Sequence, residues 1–333
     1  MKIRRFSRQI IMGLATLLAI ALSAAPFAQA ASGPGGNGLR VTPVKTPQDL
    51  VIQAGDSYTY TIQVTNVTSA QADLQAIVND FTASPDESGN PAVILDPTKF
   101  AQSHSLKRFV QSIPNFTLQA GETKQVAVII NVPKSATPGG YYGVVRFAPA
   151  STTLGPNQNL GLAGSVGSLI LIKVPGDINE QVTIASFDAR KNDKPDTIFT
   201  TNKNITATVR FRNSGNLQEV PFGKILLKNR SGKTLATYEI NNLTPPDDVL
   251  PDSIRKFSVP LKKVGNFGEY KLEGNFGYGN GGQLLSASTT FYVIPIWLVL
   301  LVIGIVALIL FLIFGLPRLV KAYNERVLRK GKA

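Results

Sequence analysis

Apolar and polar side chains alternate along most of this chain, and an apolar run lies near each end, the C-terminal one without interruption. Residues 58–64, 143–147 and 205–211 change character at every second position, which is typical of half-buried β-strands. Ser88-Gly89-Asn90 and Ser214-Gly215-Asn216 are turn signals between such segments. Many short strands at this spacing predict antiparallel β-sandwiches, whereas helical periodicity is nearly absent before the C-terminal run.

The predicted fold class is all-β, with two tandem Ig-like antiparallel β-sandwiches and one C-terminal transmembrane α-helix. The strand at 168–174 is followed by Pro175-Gly176-Asp177, where a second domain is expected to start. The first sandwich is therefore assigned to 39–175 and the second to 176–294. Because residues 291–294 lead directly into the apolar run, the second sandwich is expected to lie against the bilayer.

The C-terminal apolar run is long enough to cross a membrane. About 22 residues rise by roughly 33 Å as a helix, which matches a hydrocarbon core. We predict a transmembrane helix at 295–316, bracketed by Pro295 and Pro317. A buried helix of a soluble core would rarely run this long without a polar side chain.

Aromatic and basic residues indicate how this helix is oriented. Tyr292 and Trp297 stand at its start, where rings prefer the membrane interface, and Arg318 and Lys321 begin a basic tail at 317–333. The positive-inside rule places this tail in the cytoplasm and the N-terminal ectodomain outside. The expected localisation is therefore the cell membrane, with a single pass.

The N-terminal apolar run has the features of a secretory signal peptide, assigned to 1–30. A basic start precedes the apolar core, and Ala28-Gln29-Ala30 is a small-x-small pattern that predicts cleavage before Ala31. An uncleaved anchor would need a longer apolar run. Residues 31–38, rich in glycine, are predicted to form a flexible leader.

The formal net charge of +13 follows mainly from this topology. Four basic residues precede the first apolar run and six follow the second, so the predicted ectodomain is only mildly basic. Nucleic acid is therefore not an expected partner, whereas the lipid bilayer is.

The residue inventory gives little support to an enzyme. Cysteine is absent, which excludes disulfides, and His104 is the one histidine. With no cysteine and one histidine, the usual zinc ligand sets cannot be formed. No Gly-x-Ser-x-Gly nucleophile motif is present either. We predict no catalytic residues, no metal and no cofactor, and we interpret His104 as a surface-loop residue.

Two aromatic segments are candidates for contact with a ligand or a membrane. Tyr141 and Tyr142 lie between glycines with Arg146 nearby, so a ring can stack on a sugar while the arginine pairs with a carboxylate. The alternative is a turn followed by a strand in which one ring enters the core and the other faces out. Residues 274–282 are predicted to form a long hairpin loop whose Phe276 and Tyr278 approach the membrane or a neighbour.

Several of these segments also carry a family resemblance. In the first predicted domain they are 39–43, 53–56, 116–122, 132–133 and 139–143, and in the second 211–216, 221–223 and 250–255. These segments, in the order signal, two β-sandwiches, helix and basic tail, resemble bacterial WxL-interacting cell-surface proteins. The resemblance implies a first domain that binds peptidoglycan and a second that binds a partner or a host.

The sequence thus favours a membrane-anchored bacterial cell-surface binding or adhesion protein. Its expected partner is peptidoglycan or another cell-surface protein. The alternative is a structural or assembly subunit of a cell-envelope complex, which an excess of exposed strand edge would favour.

Overall fold

The structure, a computed structural model, describes residues 38–47, 50–150 and 165–330, with the backbone alone for 322 and 325–330. The predicted signal peptide, its cleavage residues Ala28, Ala30 and Ala31, and nearly all of the predicted leader lie outside these ranges. Those assignments stay predictions.

Seventeen β-strands precede the C-terminal helix in the described part of the chain. They are β1 (Leu39–Thr42), β2 (Ser57–Asn66), β3 (Ala72–Ala83), β4 (Pro91–Val93), β5 (Phe116–Leu118), β6 (Thr123–Asn131), β7 (Gly139–Pro149), β8 (Val166–Val174), β9 (Val182–Lys191), β10 (Lys194–Pro195), β11 (Ile198–Phe199), β12 (Ile205–Asn213), β13 (Phe222–Asn229), β14 (Thr234–Ile240), β15 (Ser253–Pro260), β16 (Gly268–Tyr278) and β17 (Gln283–Val293).

Strands β1 to β8, here called the N-terminal unit, form two facing sheets. One has the order β1-β2-β6 and the other β4-β3-β7-β8, with β5 also paired to β3. All of these pairs are antiparallel. Ile62 and Val128 from the first sheet meet Phe147 and Ile172 from the second in one core of fully buried side chains. This is the A-B-E against C-F-G arrangement of Ig-like sandwiches.

Strands β9 to β17, here called the C-terminal unit, repeat that arrangement. Their sheets have the orders β10-β9-β12-β15 and β11-β17-β16-β13-β14, and among them β11 pairs in parallel with β17. Val209 and Phe211 from the first sheet pack with Leu227, Phe276 and Phe291 from the second. Side chains alternate in the sequence because each strand directs its apolar side chains into one of the two cores and its polar side chains outward.

The predicted loop at 274–282 is wrong for its first half. Residues 274–278 complete β16, and only 279–282 form the turn into β17. Phe276 and Tyr278 are buried in the core and do not approach a membrane. Glycine serves packing here, because a Cβ on Gly274 would lie 2.5 Å from the ring of Phe276.

A continuous helix follows the β-strands and runs further than the sequence predicts. It consists of α1 (Ile296–Leu310), one π-helical turn (Phe311–Gly315) and α2 (Leu316–Lys330). Pro317 therefore does not end it, contrary to the expected boundary between helix and tail. Proline lacks an N–H group and crowds the preceding turn, and the wider π turn just before it accommodates both effects.

Candidate functional site

The three predicted ligand residues all lie on β7 but do not form one site. Strand alternation directs Tyr141 towards the core of the N-terminal unit, and Tyr142 and Arg146 towards the opposite face of the sheet. Tyr141 and Arg146 are also five positions apart, or roughly 17 Å along the strand. A single ligand ring and its carboxylate would not span this arrangement.

Tyr142 connects the two units. Its side chain is 2% exposed, and its hydroxyl donates a hydrogen bond of 2.8 Å to Oε1 of Gln218 in the C-terminal unit. Burial raises the pKa of the Tyr142 hydroxyl well above its ordinary value. Leu250 packs on the same small cluster from the C-terminal side. Tyr142 therefore offers no face to a ligand while the units stay together.

Arg146 is half-buried and already has two partners. Its Nε donates to Oδ1 of Asn79 at 3.0 Å, and one terminal nitrogen donates to Oγ of Ser165 at 2.9 Å. Burial lowers the pKa of the guanidinium. These contacts make Arg146 a part of the sheet surface around Asn79.

Tyr141 borders a small groove. Its ring lies 4.7 Å from the ring of Phe109 and 6.4 Å from that of His104, measured between centroids. Its hydroxyl donates to the carbonyl of Thr137 at 2.9 Å. The groove encloses about 260 Å³ and is lined by Gln102, Ser103, His104, Ser105, Arg108, Thr137, Pro138 and Tyr141.

A buried carboxylate that the sequence patterns do not predict holds the loop beside this groove. Asp80 is fully buried on β3 and accepts hydrogen bonds from the N–H groups of Ala101 and Lys107, both at 2.9 Å. The hydroxyl of Ser105 donates a third bond, at 2.6 Å. The sequence does indicate this role in one way, because an acidic residue within a half-buried strand needs nearby hydrogen-bond donors.

The second site is the outer edge of β6. The backbone N–H and C=O groups of Val132 bond to the turn at 55–56, so the backbone groups of the even-numbered residues of β6 are directed towards β2. Those of the odd-numbered residues are directed away from β2, as the bond from the Gln111 N–H to the Ile129 carbonyl also shows. Gln125 and Ala127 thus direct their N–H and C=O groups outward, and no described backbone group bonds them.

A groove with apolar walls lies beside this edge. It encloses about 310 Å³ between β6 and the segment 111–116. Ile113 and Phe116 form part of its wall, and the ammonium group of Lys124 lies 5.1 Å from the centre of the Phe116 ring. An exposed strand edge beside an apolar groove has the parts needed to bind an extended peptide.

The third site is a cleft where the two units meet. It encloses about 290 Å³, with Lys173 from β8 facing Glu180, Glu219 and Asn280 of the C-terminal unit. Glu219 is 4% exposed, and its Oε1 atom has no hydrogen-bond partner in the structure. Burial first, and then the charge of Glu180, raise the pKa of Glu219 to about 7.

Two ion pairs also join the N-terminal unit to the C-terminal unit. Arg210 donates to both carboxylate oxygens of Glu87, with Nε at 2.6 Å from Oε2. Lys45 pairs with Asp248. Glu87 lies in the turn between β3 and β4, which reads in the sequence as an ordinary solvated turn. Within the described ranges, no group of three His, Asp or Glu side chains is placed to hold a metal ion.

The predicted anchoring residues lie along the C-terminal helix and at its start. The segment Ile296–Lys321 is the one described helix that is long and apolar enough to cross a membrane. Tyr292 and Trp297 are exposed near its beginning. Arg318 and Lys321 are exposed near its end, where the guanidinium of Arg318 donates to the carbonyl of Phe314 at 2.9 Å.

Fold and topology thus define an all-β protein of Ig-like sandwiches followed by one long apolar helix. No family model matches the chain, and no curated protein matches it. A chain from the chaperone–tip adhesin complex of CFA/I fimbriae is 13% identical, with 77% of this chain and 99% of that chain covered and a TM-score of 0.36.

Two other solved structures are similarly distant. A chain from the Salmonella enterica SafA pilin–SafB chaperone complex is 12% identical, covers 77% of this chain and 95% of its own, and has a TM-score of 0.33. The PapD-like domain 7 of human CEP192 is 9% identical, covers 46% and 96%, and has a TM-score of 0.27. Likenesses this weak carry no functional argument.

Proposed function

We propose that this chain is a membrane-anchored surface protein that binds an extended segment of another exported protein along β6. The observation that carries the proposal is the outward-facing backbone of Gln125 and Ala127 beside the 310 Å³ groove. Such an edge provides N–H and C=O groups that can bond to the backbone of any extended chain, and the groove selects among the side chains of that chain.

The groove indicates the kind of segment that fits. Ile113, Phe116 and Val126 contribute apolar surface to its lining. In a strand added to β6, every second side chain would point towards the face of the sheet on which the groove lies, so one apolar side chain is expected to enter the groove. Lys124 at the rim favours an acidic residue near that position.

Anchoring completes this function. The helix that follows β17 is proposed to cross the cell membrane once, with the β-units outside and the basic end in the cytoplasm. Because β17 ends three residues before α1 begins, the β-units would be held close to the membrane surface. The protein would therefore present the β6 edge to partners that are exported but retained near the cell.

A second candidate function is the binding of peptidoglycan at the Tyr141 groove. Its support is that the partly exposed Tyr141 and the exposed Arg108 line the same groove, where a ring can meet a sugar face and a guanidinium can meet a peptide-stem carboxylate. The resemblance to WxL-interacting proteins implies the same class of ligand. This binding would involve neither Tyr142 nor the β6 edge.

Two variants separate the candidates when each is tested in both assays, using the full chain in membrane nanodiscs. Ala127→Pro removes an outward N–H from β6, and Arg108→Ala removes an exposed charge from the Tyr141 groove. Strand addition predicts that exported proteins stop co-purifying with Ala127→Pro but still co-purify with Arg108→Ala. Co-sedimentation with purified peptidoglycan that Arg108→Ala weakens and Ala127→Pro leaves intact would instead support wall binding.

A further inference from the structure

The end of the C-terminal unit that leads into the helix has an unusual surface. Phe267 is 67% exposed in the loop between β15 and β16, directly before the residue that pairs with the end of β17. With Tyr292, Leu298 and the β13–β14 turn, this loop surrounds a cavity of about 690 Å³. Three separate segments thus meet where the chain enters α1.

Three loops at this end are basic. They are 200–204, which precedes β12, 230–233, which joins β13 to β14, and 261–267, which joins β15 to β16. Together they carry exposed Lys203, Arg230, Lys233, Lys262 and Lys263, and their sequences contain no Asp or Glu.

One hydrogen bond joins two of these loops, and another joins β11, directly before the first loop, to the segment that enters the helix. The side-chain amide of Asn202 donates to the carbonyl of Val264 at 2.9 Å. Ile294, two residues before α1, donates its N–H to the carbonyl of Phe199 at 2.8 Å. Glu269 is the one acidic residue among the described residues that line the cavity, and it lies 4.0 Å from Arg230.

We propose that this end of the C-terminal unit binds the anionic phospholipid surface around its own helix, with Phe267 entering the headgroup region. An exposed ring surrounded by basic side chains combines the apolar and electrostatic contributions that hold peripheral segments at a bilayer. The C-terminal helix would hold this loop near the bilayer, because Phe267 and Leu298 of α1 line the same cavity. The proposal rests on the membrane anchoring in the proposed function and adds a second contact that fixes the tilt of the β-units.

The single tryptophan of the chain makes this contact measurable. In a Trp297→Phe background, Phe267→Trp places the reporter in the loop. A matched control, Phe222→Trp in the same background, places it on a side chain that is 56% exposed at the other end of β13. That end lies about 23 Å further along the strand direction. Each full-length variant is reconstituted into vesicles that contain phospholipids brominated near the headgroup.

Brominated lipids are expected to quench the fluorescence of the Phe267→Trp variant strongly and to leave that of the Phe222→Trp control unchanged. Quenching of the loop reporter should increase with the fraction of phosphatidylglycerol. Lys233→Glu with Lys262→Glu should weaken the binding of this surface to anionic lipid by about thirtyfold for each lysine, because each reversal changes the charge by two units. The same number of reversals at Lys99 and Lys134, on the N-terminal unit, should leave it unchanged.

The unaltered chain distinguishes the two ways to fail. If Trp297 itself is not quenched, the helix does not insert, and both the anchoring and the lipid contact are overturned. If Trp297 is quenched but the loop reporter is no more quenched than the control reporter, only the lipid contact is overturned. Shielding of the loop reporter that grows with protein concentration, without quenching by brominated lipid, would assign this surface to a second copy of the chain and overturn the proposal as well.

Discussion

Two buried carboxylates illustrate how differently single residues are stabilised in this molecule. Asp80 accepts three hydrogen bonds and organises the loop that borders the Tyr141 groove. Glu219 is also buried, although it lines the cleft between the units, and one of its oxygens has no hydrogen-bond partner. Burial without a full set of donors favours the neutral acid. Glu219 is therefore expected to make stability depend on pH.

The pKa of Glu219 is raised to about 7 from its ordinary 4.5, so the folded protein holds this proton more tightly than the unfolded chain. The stabilisation is fully present below pH 4.5 and is lost as the pH rises through 7. The loss is at most about 3 kcal/mol. Glu219→Gln stays neutral, so its urea midpoint should exceed that of the unaltered protein at pH 8 and approach it at pH 5.

Glu239→Gln is the matched control, because the Glu239 carboxylate is exposed. Its midpoint should differ from that of the unaltered protein by the same small amount at both pH values. A Glu219→Gln difference that does not change with pH would show that Glu219 is ionised in the folded protein throughout this range.

At the scale of elements, β6 is the strand on which the proposed function depends. Its inward N–H groups bond to β2, whereas those of Gln125 and Ala127 point outward. Proline is tolerated where an edge strand directs its N–H away from the sheet, but not where the ladder needs that group. Proline substitutions at two adjacent positions of β6 are therefore expected to destabilise the protein by different amounts.

Ala127→Pro should leave the chain folded, with a loss of stability below about 2 kcal/mol, because no ladder bond is removed. Val128→Pro removes a bond to β2 and a fully buried side chain, so it should lose about 3 kcal/mol or more. Urea denaturation followed by circular dichroism measures both. Equal destabilisation by the two substitutions would mean that the hydrogen bonds between β6 and β2 follow a different pattern and that the N–H group of Ala127 is not directed outward.

Alternation of side chains was sufficient to predict most strands, including those at 58–64 and 205–211. It failed at 274–278, because the glycines there resemble a loop but make room for the Phe276 ring. It also gave no account of the β6 edge. Which backbone groups remain exposed depends on how β2, β6 and the 111–116 segment pair, and pairing between distant segments is not a local property of sequence.

At the scale of the whole molecule, contacts between the units determine what is accessible. The sequence located Tyr141, Tyr142 and Arg146 on one strand, but it could not reveal that Gln218 would cover Tyr142. The sequence also could not show that Glu87 joins the two units, because its partner Arg210 is 123 positions away. The cleft at Glu219 follows from this packing, whereas the Tyr141 groove and the β6 edge are formed within the N-terminal unit.

The pair formed by Glu87 and Arg210 should couple the units measurably. Glu87→Ala and Arg210→Ala are expected to be non-additive in a double-mutant cycle, with a coupling of about 1 kcal/mol for a partly exposed bidentate pair. Arg210 holds the pKa of Glu87 below its ordinary 4.5, so the coupling is present above that pH and is lost as the pH falls through the folded-state pKa. Strict additivity of the two substitutions at pH 7 would contradict a contact between the units here.

Photo-crosslinking can show directly whether β6 binds a strand from another exported protein. A photoreactive side chain replaces Gln125 in the full chain in its own membrane. A matched control carries it at Arg40 on β1, exposed on the same sheet but two strands, about 10 Å, away. Strand addition at β6 predicts a crosslinked exported protein from position 125 that disappears with Ala127→Pro and is absent from position 40. Equal crosslinking from both positions, or crosslinking that Ala127→Pro does not reduce, would contradict it.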